Sequence, residues 1–340
     1  MRSVVLGRTG ITVPKNGFGA LPIQRISRKE AVQLLHRAYD GGIRVYDTAR
    51  GYTDREEKLG LAFHDRRDQI VLASKVPHFT VEGFWDDLHT TLRLLQTDYL
   101  DLYQFHNPAF CPKPGDGTGL YEAMLEARQQ GKIRHIGLTN HRIHVARAAL
   151  ESGLYETVQY PFSYLASEQE VQLARDCEAN GVGFLAMKGL AGGVIRDSAA
   201  AYAYLAQFDQ VLPIWGVQRP WELEEFLSYQ DREPVLDAPM QEKIAADRAA
   251  LCGEFCRSCG YCMPCPQKIE IRQCARMSLM IRRAPTEAWL SPKWQQEMEK
   301  ITTCLHCGAC AAKCPYGLDT PALLQKNLQD YREVLAGKPL

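Results

Sequence analysis

The amino-acid sequence predicts an α/β fold in which a barrel of eight strand–helix units precedes a small, mainly helical domain rich in cysteine. Two observations lead to this prediction. Strand-like and helix-like patterns alternate through the N-terminal two thirds of the chain, and ten of the twelve cysteines lie between Cys252 and Cys314. This change in composition divides the chain into a barrel over residues 1–235 and a C-terminal domain over residues 236–340.

The predicted strands are short apolar segments rich in β-branched and aromatic residues. They cover residues 16–19, 43–46, 70–73, 100–105, 133–138, 157–159, 182–187 and 211–215. Eight such strands, each followed by a helix, fit a (β/α)8 TIM barrel. A doubly wound open sheet is the structural alternative, but no G-x-G-x-x-G motif follows the first strand of this sequence.

Helix-like patterns fill the segments between these strands. The predicted barrel helices cover residues 28–40, 55–64, 81–95, 119–130, 141–152, 168–180, 198–208 and 222–228. Residues 231–240 predict a linker. Beyond the linker, helices are predicted over residues 241–251, 273–282, 293–301 and 320–335, the last with Thr320 as N-cap and Pro321 in its first turn.

Composition narrows the class of protein. The 340 residues are 46% hydrophobic, as in ordinary globular proteins with a sizeable core. Forty basic and forty acidic side chains cancel, so charge gives no reason to expect nucleic acid or an anionic membrane as partner. The first residues do not resemble a secretory signal, and no apolar run approaches the roughly 20 residues of a membrane span. We therefore expect a cytoplasmic protein without a disulfide scaffold.

Two cysteine runs define the C-terminal domain. The second run, C-L-H-C-G-A-C-A-A-K-C-P over residues 304–315, has the C-x2-C-x2-C-x3-C-P spacing of bacterial ferredoxins. In two-cluster ferredoxins, the fourth cysteine of this spacing binds the other cluster. The first run, C-R-S-C-G-Y-C-M-P-C-P over residues 256–266, has one residue fewer before its last cysteine. The two runs together predict two [4Fe–4S] clusters in a ferredoxin-type domain.

We predict that the last cysteine of each run crosses to the other cluster. One cluster then takes Cys256, Cys259, Cys262 and Cys314, and the other takes Cys304, Cys307, Cys310 and Cys265. The shorter gap before Cys265 leaves the pairing of Cys265 and Cys314 open. A zinc ion is the alternative ligand, but it needs four cysteines and the runs offer eight. The remaining cysteines are predicted to be buried or free thiols, namely Cys111, Cys177, Cys252 and Cys274.

Titratable side chains mark the ends of three neighbouring barrel strands. Asp47 ends the second predicted strand with Tyr52 in the loop after it, Lys75 ends the third strand, and His106 ends the fourth. Each residue alone is most simply a surface ion pair or a packing group. Chemistry in these barrels takes place at the carboxyl ends of the strands, and buried lysine and aspartate must be paired. Four such groups at one face therefore favour an active site.

Segments 42–52 (G-I-R-V-Y-D-T-A-R-G-Y) and 101–108 (D-L-Y-Q-F-H-N-P) resemble the signatures of the aldo-keto reductase family. Residues 6–10, 16–19, 133–140 and 158–160 resemble the N-terminal hairpin and the first, fifth and sixth strands of that family. The resemblance covers residues 1 to about 230, and the cysteine tail is similar to that of its iron–sulfur-containing subgroup.

The resemblance implies a catalytic tetrad of Asp47, Tyr52, Lys75 and His106. Tyr52 would act as general acid and give its phenolic proton to a carbonyl oxygen during hydride transfer from a nicotinamide. An unperturbed tyrosine, with a pKa of about 10, is a slow acid at neutral pH. The ammonium of Lys75, held by Asp47, would lower that pKa, and His106 would orient the carbonyl.

The resemblance also implies a set of cofactor-binding positions. Asn140 and Gln159 match the residues that hold the carboxamide, Thr139 stands where the family often has serine, and Gly19 matches a glycine near the ribose. Met187 replaces an aromatic residue that stacks on the nicotinamide, and Lys188 and Leu190 follow it. The last strand–helix unit contributes Gly216, Arg219 and Glu225. Arg219 favours NADPH as a phosphate partner, while NADH remains the alternative.

We therefore predict an NAD(P)H-dependent oxidoreductase that interconverts a carbonyl and an alcohol on a small-molecule substrate. The Gly- and Pro-containing loop over residues 107–118 is a predicted wall of the substrate site. The clusters would exchange electrons with a redox partner protein or serve a structural or sensory role. The alternative is a redox-sensing or electron-transfer subunit whose barrel binds nicotinamide or a partner without significant carbonyl turnover.

Overall fold

The computed structural model describes residues 2–51, 53–251, 255–283 and 286–339. The chain forms two compact units. The first takes Met1–Gly189 and Ser198–Gln241, and the second takes Leu190–Asp197 and Glu242–Leu340. The boundary in the chain thus follows Gln241 instead of residue 235, and a short segment from the middle of the sequence belongs to the cysteine-rich unit.

The first unit contains a closed barrel of eight parallel strands, which confirms the predicted fold class. A two-stranded antiparallel hairpin, β1 (Ser3–Val5) and β2 (Thr12–Pro14), precedes it. The barrel strands are β3 (Gly17–Gly19), β4 (Val45–Asp47), β5 (Val71–Val76), β6 (Leu100–His106), β7 (Ile133–Thr139), β8 (Thr157–Pro161), β9 (Gly183–Met187) and β10 (Val211–Gly216). Consecutive strands are neighbours, and β10 closes the barrel against β3.

A helix follows each barrel strand. These helices are α1 (Arg28–Asp40), α2 (Arg55–Phe63), α3 (Val81–Leu95), α4 (Leu120–Gln129), α5 (Ile143–Ser152), α6 (Glu168–Ala179), α7 (Ser198–Ala206) and α8 (Pro220–Asp231). Short 3-10 helices cover Leu21–Arg25 and His64–Gln69. The start of α1 is fixed by a capping box, in which Ser27 and Glu30 each bond the other's backbone N–H.

The hairpin closes the amino-terminal end of the barrel. Val4 and Leu6 are buried against inward residues of the strands, among them Leu102 and Leu212. Gly7 allows this close approach because it has a φ of 53°, and a Cβ there would lie 2.3 Å from the backbone nitrogen of Gly183. The opposite end, where the strands have their carboxyl termini, carries the titratable residues.

The cysteine-rich unit consists of helices and loops, and the structure describes no strand between residues 242 and 339. Helix α9 (Ala238–Leu251) leads the chain into it and begins inside the predicted linker. The helices that follow are α10 (Ile271–Cys274), α11 (Met277–Arg283), α12 (Thr286–Trp289), α13 (Pro292–Glu299), α14 (Ala309–Ala312) and α15 (Thr320–Leu335), with a 3-10 helix over Lys300–Thr303.

Two sequence predictions are wrong in this unit. The predicted helix over residues 273–282 is interrupted between α10 and α11, where the buried Asn327 side chain donates to the carbonyl of Ala275 and accepts from the N–H of Ser278. The N-cap of α15 is Asp319, whose carboxylate accepts from Ala322 N at 3.1 Å, and Thr320 is the first helical residue.

A single apolar core joins these helices. It contains Ile271, Met280, Ile301 and Leu328 among other buried residues, and several cysteines of both runs pack against it. The segment Leu190–Asp197 is tied into the same unit by two contacts. Arg276 Nη1 donates to the carbonyl of Gly192 at 2.8 Å, and Lys243 forms an ion pair with Asp197.

Within the described ranges, the structure contains no helix of sufficient length and hydrophobicity to cross a membrane.

Candidate active site and cysteine cavities

A buried ion pair lies at the carboxyl ends of β4 and β5. Lys75 Nζ is 2.6 Å from Asp47 Oδ1 and also donates to the carbonyl of Thr48 at 2.6 Å. Lys75 is only 3% exposed and Asp47 only 8%. Burial lowers the pKa of Lys75, and the Asp47 carboxylate opposes that shift. The structure thus brings together two of the four predicted tetrad members in direct contact.

Two glutamines extend this pair across the inside of the barrel. Gln159 on β8 donates through Nε2 to Asp47 Oδ2 at 3.2 Å, and Gln104 on β6 donates to Gln159 Oε1 at 2.9 Å. Gln159 is one of the predicted cofactor residues, whereas the sequence reasoning did not select Gln104. The available signal was an amide within a buried strand, where it had to find a polar partner. These contacts fix the orientation of the Asp47 carboxylate.

His106 is the last residue of β6, the strand next to β5. Burial first, and then the positive charges of Lys75 and Arg55, lower its pKa to about 3. The imidazole is therefore neutral near pH 7, with one ring nitrogen protonated. A neutral imidazole can donate a hydrogen bond to a carbonyl oxygen without competing for the proton that a general acid delivers.

Tyr52 lies outside the described residues, and Arg50 is the described residue two positions before it. Arg50 forms an ion pair with Glu56 of α2. Glu56 is fully buried, and its Oε1 accepts from Ser74 Oγ at 2.8 Å and from Thr91 Oγ1 at 2.9 Å. Sequence reasoning missed this carboxylate, although a charged residue on the buried face of a helix is itself a signal. Glu56 therefore links Arg50 to β5 and α3.

The predicted carboxamide-binding residues lie at the ends of β7 and β8. Thr139 Oγ1 is 3.9 Å from Met187 Sδ on β9. Asn140 donates through Nδ2 to the carbonyl of Pro108 at 2.8 Å and accepts from Arg142 N at 2.8 Å. The Asn140 side chain is thus held by residues of the loops that follow β6 and β7.

The remaining predicted cofactor positions have varied surroundings. Gly19 and Gly216 are paired in register at the ends of β3 and β10, and Gly216 is exposed. Lys188, directly after β9, has a φ of 59°. Leu190 belongs to the cysteine-rich unit.

Helix α8 carries the last two of these positions. Arg219 is its N-cap residue, and the guanidinium carbon lies 5.8 Å from the ring centroid of the exposed Trp221. Glu225 accepts hydrogen bonds from Ser198 and Tyr229. The Glu225 carboxylate is therefore already hydrogen-bonded within the chain. Arg219 lies at the N-terminal end of α8.

Two neighbouring cavities of the cysteine-rich unit are lined largely by cysteines, four in the first and five in the second. The first cavity is lined by Cys256, Cys259, Cys262 and Cys314, together with Arg257 and Tyr316. The second is lined by Cys265, Cys304, Cys307 and Cys310, and Cys262 also reaches it. The fold thus brings Cys314 to the first run and Cys265 to the second, which is the crossed arrangement that the spacing suggested.

The described cysteines are all unbridged by disulfides. Cys177 and Cys274 are buried, Cys111 is partly buried, and Cys252 lies outside the described residues. Across the described ranges, no three Cys, His, Asp or Glu side chains converge as ligands of a single metal ion would. The cysteines instead surround two cavities, and thiolate sulfur is the usual ligand of iron–sulfur clusters.

Comparison with known proteins identifies both parts of the sequence. Residues 15–209 match the model of the aldo/keto reductase family, a range that includes Asp47, Lys75 and His106. The chain belongs to the aldo/keto reductase family. Residues 255–319 of this aldo/keto reductase match the model of a 4Fe-4S dicluster domain, which covers both cysteine runs.

Individual relatives agree with this assignment. The protein is 28% identical to the aldo-keto reductase YhdN of Bacillus subtilis over 214 residues, which span 57% of this chain and 64% of YhdN. It is 28% identical to the methylglyoxal reductase DkgA of Escherichia coli O157:H7 over 153 residues, 42% of this chain and 50% of DkgA. An aldo-keto reductase structure from Klebsiella pneumoniae in complex with NADPH superposes with a TM-score of 0.63 at 25% identity, covering 72% of this chain and 95% of that one.

Proposed function

We propose that the barrel of this aldo/keto reductase interconverts a small carbonyl compound and the corresponding alcohol with NADPH as hydride donor. The observation that carries the proposal is the buried Lys75–Asp47 ion pair at the carboxyl ends of β4 and β5. A buried ammonium costs free energy even when it is paired, so its place beside the neutral His106 calls for a chemical reason.

The residues present fit a nicotinamide cofactor. Gly19 and Gly216 pair in register at the strand ends and leave the backbone bare of side chains there. Thr139, Asn140 and Gln159 supply polar atoms for a carboxamide, Met187 and Lys188 lie at the end of β9, and Arg219 offers a cation for phosphate. When bound, the cofactor supplies the hydride that no side chain can provide.

The side chains of the chain itself manage the proton and the substrate. Tyr52 gives its phenolic proton to the carbonyl oxygen, and the Lys75 ammonium stabilises the phenolate that remains. Asp47 keeps Lys75 charged and in place through the 2.6 Å contact. His106 donates a hydrogen bond to the carbonyl oxygen and thereby orients it. The role of Tyr52 rests on its position in the sequence motif.

Turnover of a substrate panel tests this proposal. Aldehydes, ketones, sugars, quinones and methylglyoxal are offered with NADPH or NADH, and the oxidation of the cofactor is followed by absorbance. We expect reduction of at least one carbonyl class and a loss of about 100-fold or more in the Tyr52→Phe variant. An unchanged rate in Tyr52→Phe would remove the assignment of the acid, and inertness toward the whole panel would favour the binding subunit without turnover.

We further propose that each cysteine cavity holds one [4Fe–4S] cluster. The cysteine lining of each cavity supports this assignment, and so does the match to a dicluster domain. The anaerobically purified protein is then expected to contain about eight iron and eight sulfide ions per chain. Replacement of Cys259 or of Cys307 by alanine should halve the iron content, whereas loss of zinc instead of iron would contradict the proposal.

One observation favours exchange of electrons with a partner protein over a purely structural role. Cys307 is exposed and the neighbouring Leu305 is 63% exposed, so the second cavity lies close to the protein surface. A nicotinamide transfers two electrons as hydride, whereas a cluster accepts one, so direct coupling needs a mediator. Anaerobic spectra before and after addition of NADPH, and then of a reduced ferredoxin, test this role. Bleaching by the ferredoxin is expected, and bleaching by neither donor would leave the structural role.

A further inference from the structure

Arg276 is a buried cation of the cysteine-rich unit. It lies between α10 and α11 and is 4% exposed. Its Nε and Nη2 donate to the side-chain oxygen of Gln273 at 3.2 and 2.9 Å, and its Nη1 donates to the carbonyl of Gly192 at 2.8 Å. Both acceptors are neutral. Among the described residues, no carboxylate forms an ion pair with this guanidinium.

A buried arginine without an anionic partner is costly. Removing a guanidinium from water is offset by neutral hydrogen bonds only in part, and buried charges in proteins are normally paired or bound to an ion. Even the exposed arginines Arg272 and Arg332 of this unit have carboxylate partners, Glu270 and Glu299. Arg276 therefore requires negative charge from a source that these side chains do not supply.

The first cysteine run lies next to Arg276. Gly192, whose carbonyl accepts from Arg276, contacts the start of this run. A Cβ on Gly192 would lie 3.2 Å from Arg276 Nη1, 3.7 Å from the carbonyl oxygen of Arg257 and 3.9 Å from Ser258 Cβ. Burial lowers the pKa of Arg276, and negative charge at Cys256 opposes that shift. Cys256 Sγ also lies 3.9 Å from the carbonyl of Arg272, one helical turn before Arg276. Arg276 thus lies beside the start of the first cysteine run, next to the residues that line the first cavity.

The second cavity has different electrostatics. Among the described residues that line it, none carries a charged side chain, and the lining is made of cysteine, proline, glycine, glutamine and aliphatic groups. The first cavity includes Arg257, whose guanidinium carbon lies 4.8 Å from the ring centroid of Tyr316. Positive charge is therefore concentrated at one of the two cavities.

We propose that Arg276 is the counter-charge of the cluster held by Cys256, Cys259, Cys262 and Cys314, and that it sets the reduction potential of this cluster above that of its neighbour. The inference rests on the proposed placement of one cluster in each cavity. A cysteine-ligated cluster is anionic and becomes more so on reduction, so a nearby cation stabilises the reduced form. An electron that enters at the exposed second cluster would then settle on the first.

The test is an anaerobic redox titration of the full-length protein, with the two cluster signals followed by electron paramagnetic resonance. The Arg276→Gln variant removes the charge and keeps donors for Gly192, and Arg276→Lys keeps the charge. The matched control is Arg332→Gln, which removes an exposed arginine that is paired with Glu299. Each signal is assigned by its loss in Cys259→Ala or in Cys307→Ala.

We expect Arg276→Gln to move the potential of the first cluster downward and to leave the second unchanged. Arg276→Lys and the control should titrate like the native protein. Equal shifts in Arg276→Gln and Arg276→Lys would show a structural role and overturn the inference, as would an unmoved potential with full iron content. If Arg276→Gln loses the first cluster, iron retained by Arg276→Lys supports the charge role, and equal loss in both variants contradicts it.

Failure of the underlying cluster assignment is distinguishable. In that case the native protein would contain fewer than two clusters, or Cys259→Ala would remove no signal, before any Arg276 variant is examined. Such a result would overturn the cluster placement itself and, with it, the role of Arg276.

Discussion

The barrel and the cysteine-rich unit each bury a side-chain cation, and they balance its charge in opposite ways. In the barrel, Lys75 meets the carboxylate of Asp47 at 2.6 Å, so the chain supplies both charges. In the cysteine-rich unit, the hydrogen bonds of Arg276 end on the neutral oxygens of Gln273 and Gly192. The barrel pairs Lys75 within the polypeptide, whereas the counter-charge that we propose for Arg276 is a bound cluster.

The largest expected effect comes from removing Lys75 from its buried ion pair with Asp47. Lys75→Met leaves the Asp47 carboxylate buried without its cation, which costs about 3–5 kcal/mol in the free energy of unfolding. Carbonyl reduction should fall by about 100-fold or more because the phenolate loses its stabilising charge. Urea unfolding and steady-state kinetics measure the two effects. The double variant Lys75→Met/Asp47→Leu should regain stability without activity, and recovery of activity would contradict the proposed role.

The second prediction tests whether the order of the cysteine-rich unit depends on the proposed iron–sulfur clusters. Removal of iron by a chelator under anaerobic, reducing conditions should raise amide hydrogen exchange in both cysteine runs and in Leu190–Asp197 by about tenfold or more. The reason is that Arg276, which holds Gly192, loses its counter-charge. Strand β6 of the barrel serves as the internal control. Protection of Leu190–Asp197 that survives iron removal would show that this segment is ordered by the polypeptide alone.

A smaller effect is expected for Glu56, the carboxylate that links Arg50 to Ser74 and Thr91. Glu56→Gln keeps the size of the side chain but loses the ion pair with Arg50, which should cost about 1–3 kcal/mol in unfolding free energy. The position of Tyr52 should loosen, so kcat should fall several-fold with little change in KM. Glu57→Gln, on the same helix but partly exposed, is the matched control. Equal effects of the two substitutions would remove the special role of Glu56.

The last prediction concerns the pH dependence of the barrel. The pKa of His106 is lowered to about 3, below the usual value of about 6.5, so the unfolded chain binds a proton that the folded barrel does not. Stability is therefore lost as pH falls from 6.5 toward 3, with a slope of up to about 1.4 kcal/mol per pH unit from this residue. His106→Gln should flatten that slope in pH-dependent urea unfolding. A slope that is equal in both proteins would place the titration elsewhere.

Local patterns were sufficient for the helices that carry their own signals. The limits predicted for α1 and α3 agree with the structure because capping residues and apolar spacing lie within one helix. The predicted helix over residues 273–282 failed for the opposite reason. The break between α10 and α11 is stabilised by Asn327 of α15. Nothing in the sequence of residues 273–282 indicates this contact.

The candidate sites show the same division. Asp47, Lys75 and His106 could be selected from sequence because they end strands whose carboxyl termini must share one face of a barrel. Gln104 and Glu56 gave weaker signals in the sequence, because the partners that make them important, Gln159 and Ser74, lie on other elements.

The sequence by itself determined the barrel, the strand-end residues and the two cysteine runs, because periodicity and ligand spacing are local properties of the chain. Only the tertiary structure decided which cysteines surround each cavity, that Leu190–Asp197 belongs to the cysteine-rich unit, and that Arg276 has neutral partners alone among the described residues. These facts depend on contacts between residues far apart in sequence. Such contacts arise from packing and charge balance, which no local pattern records.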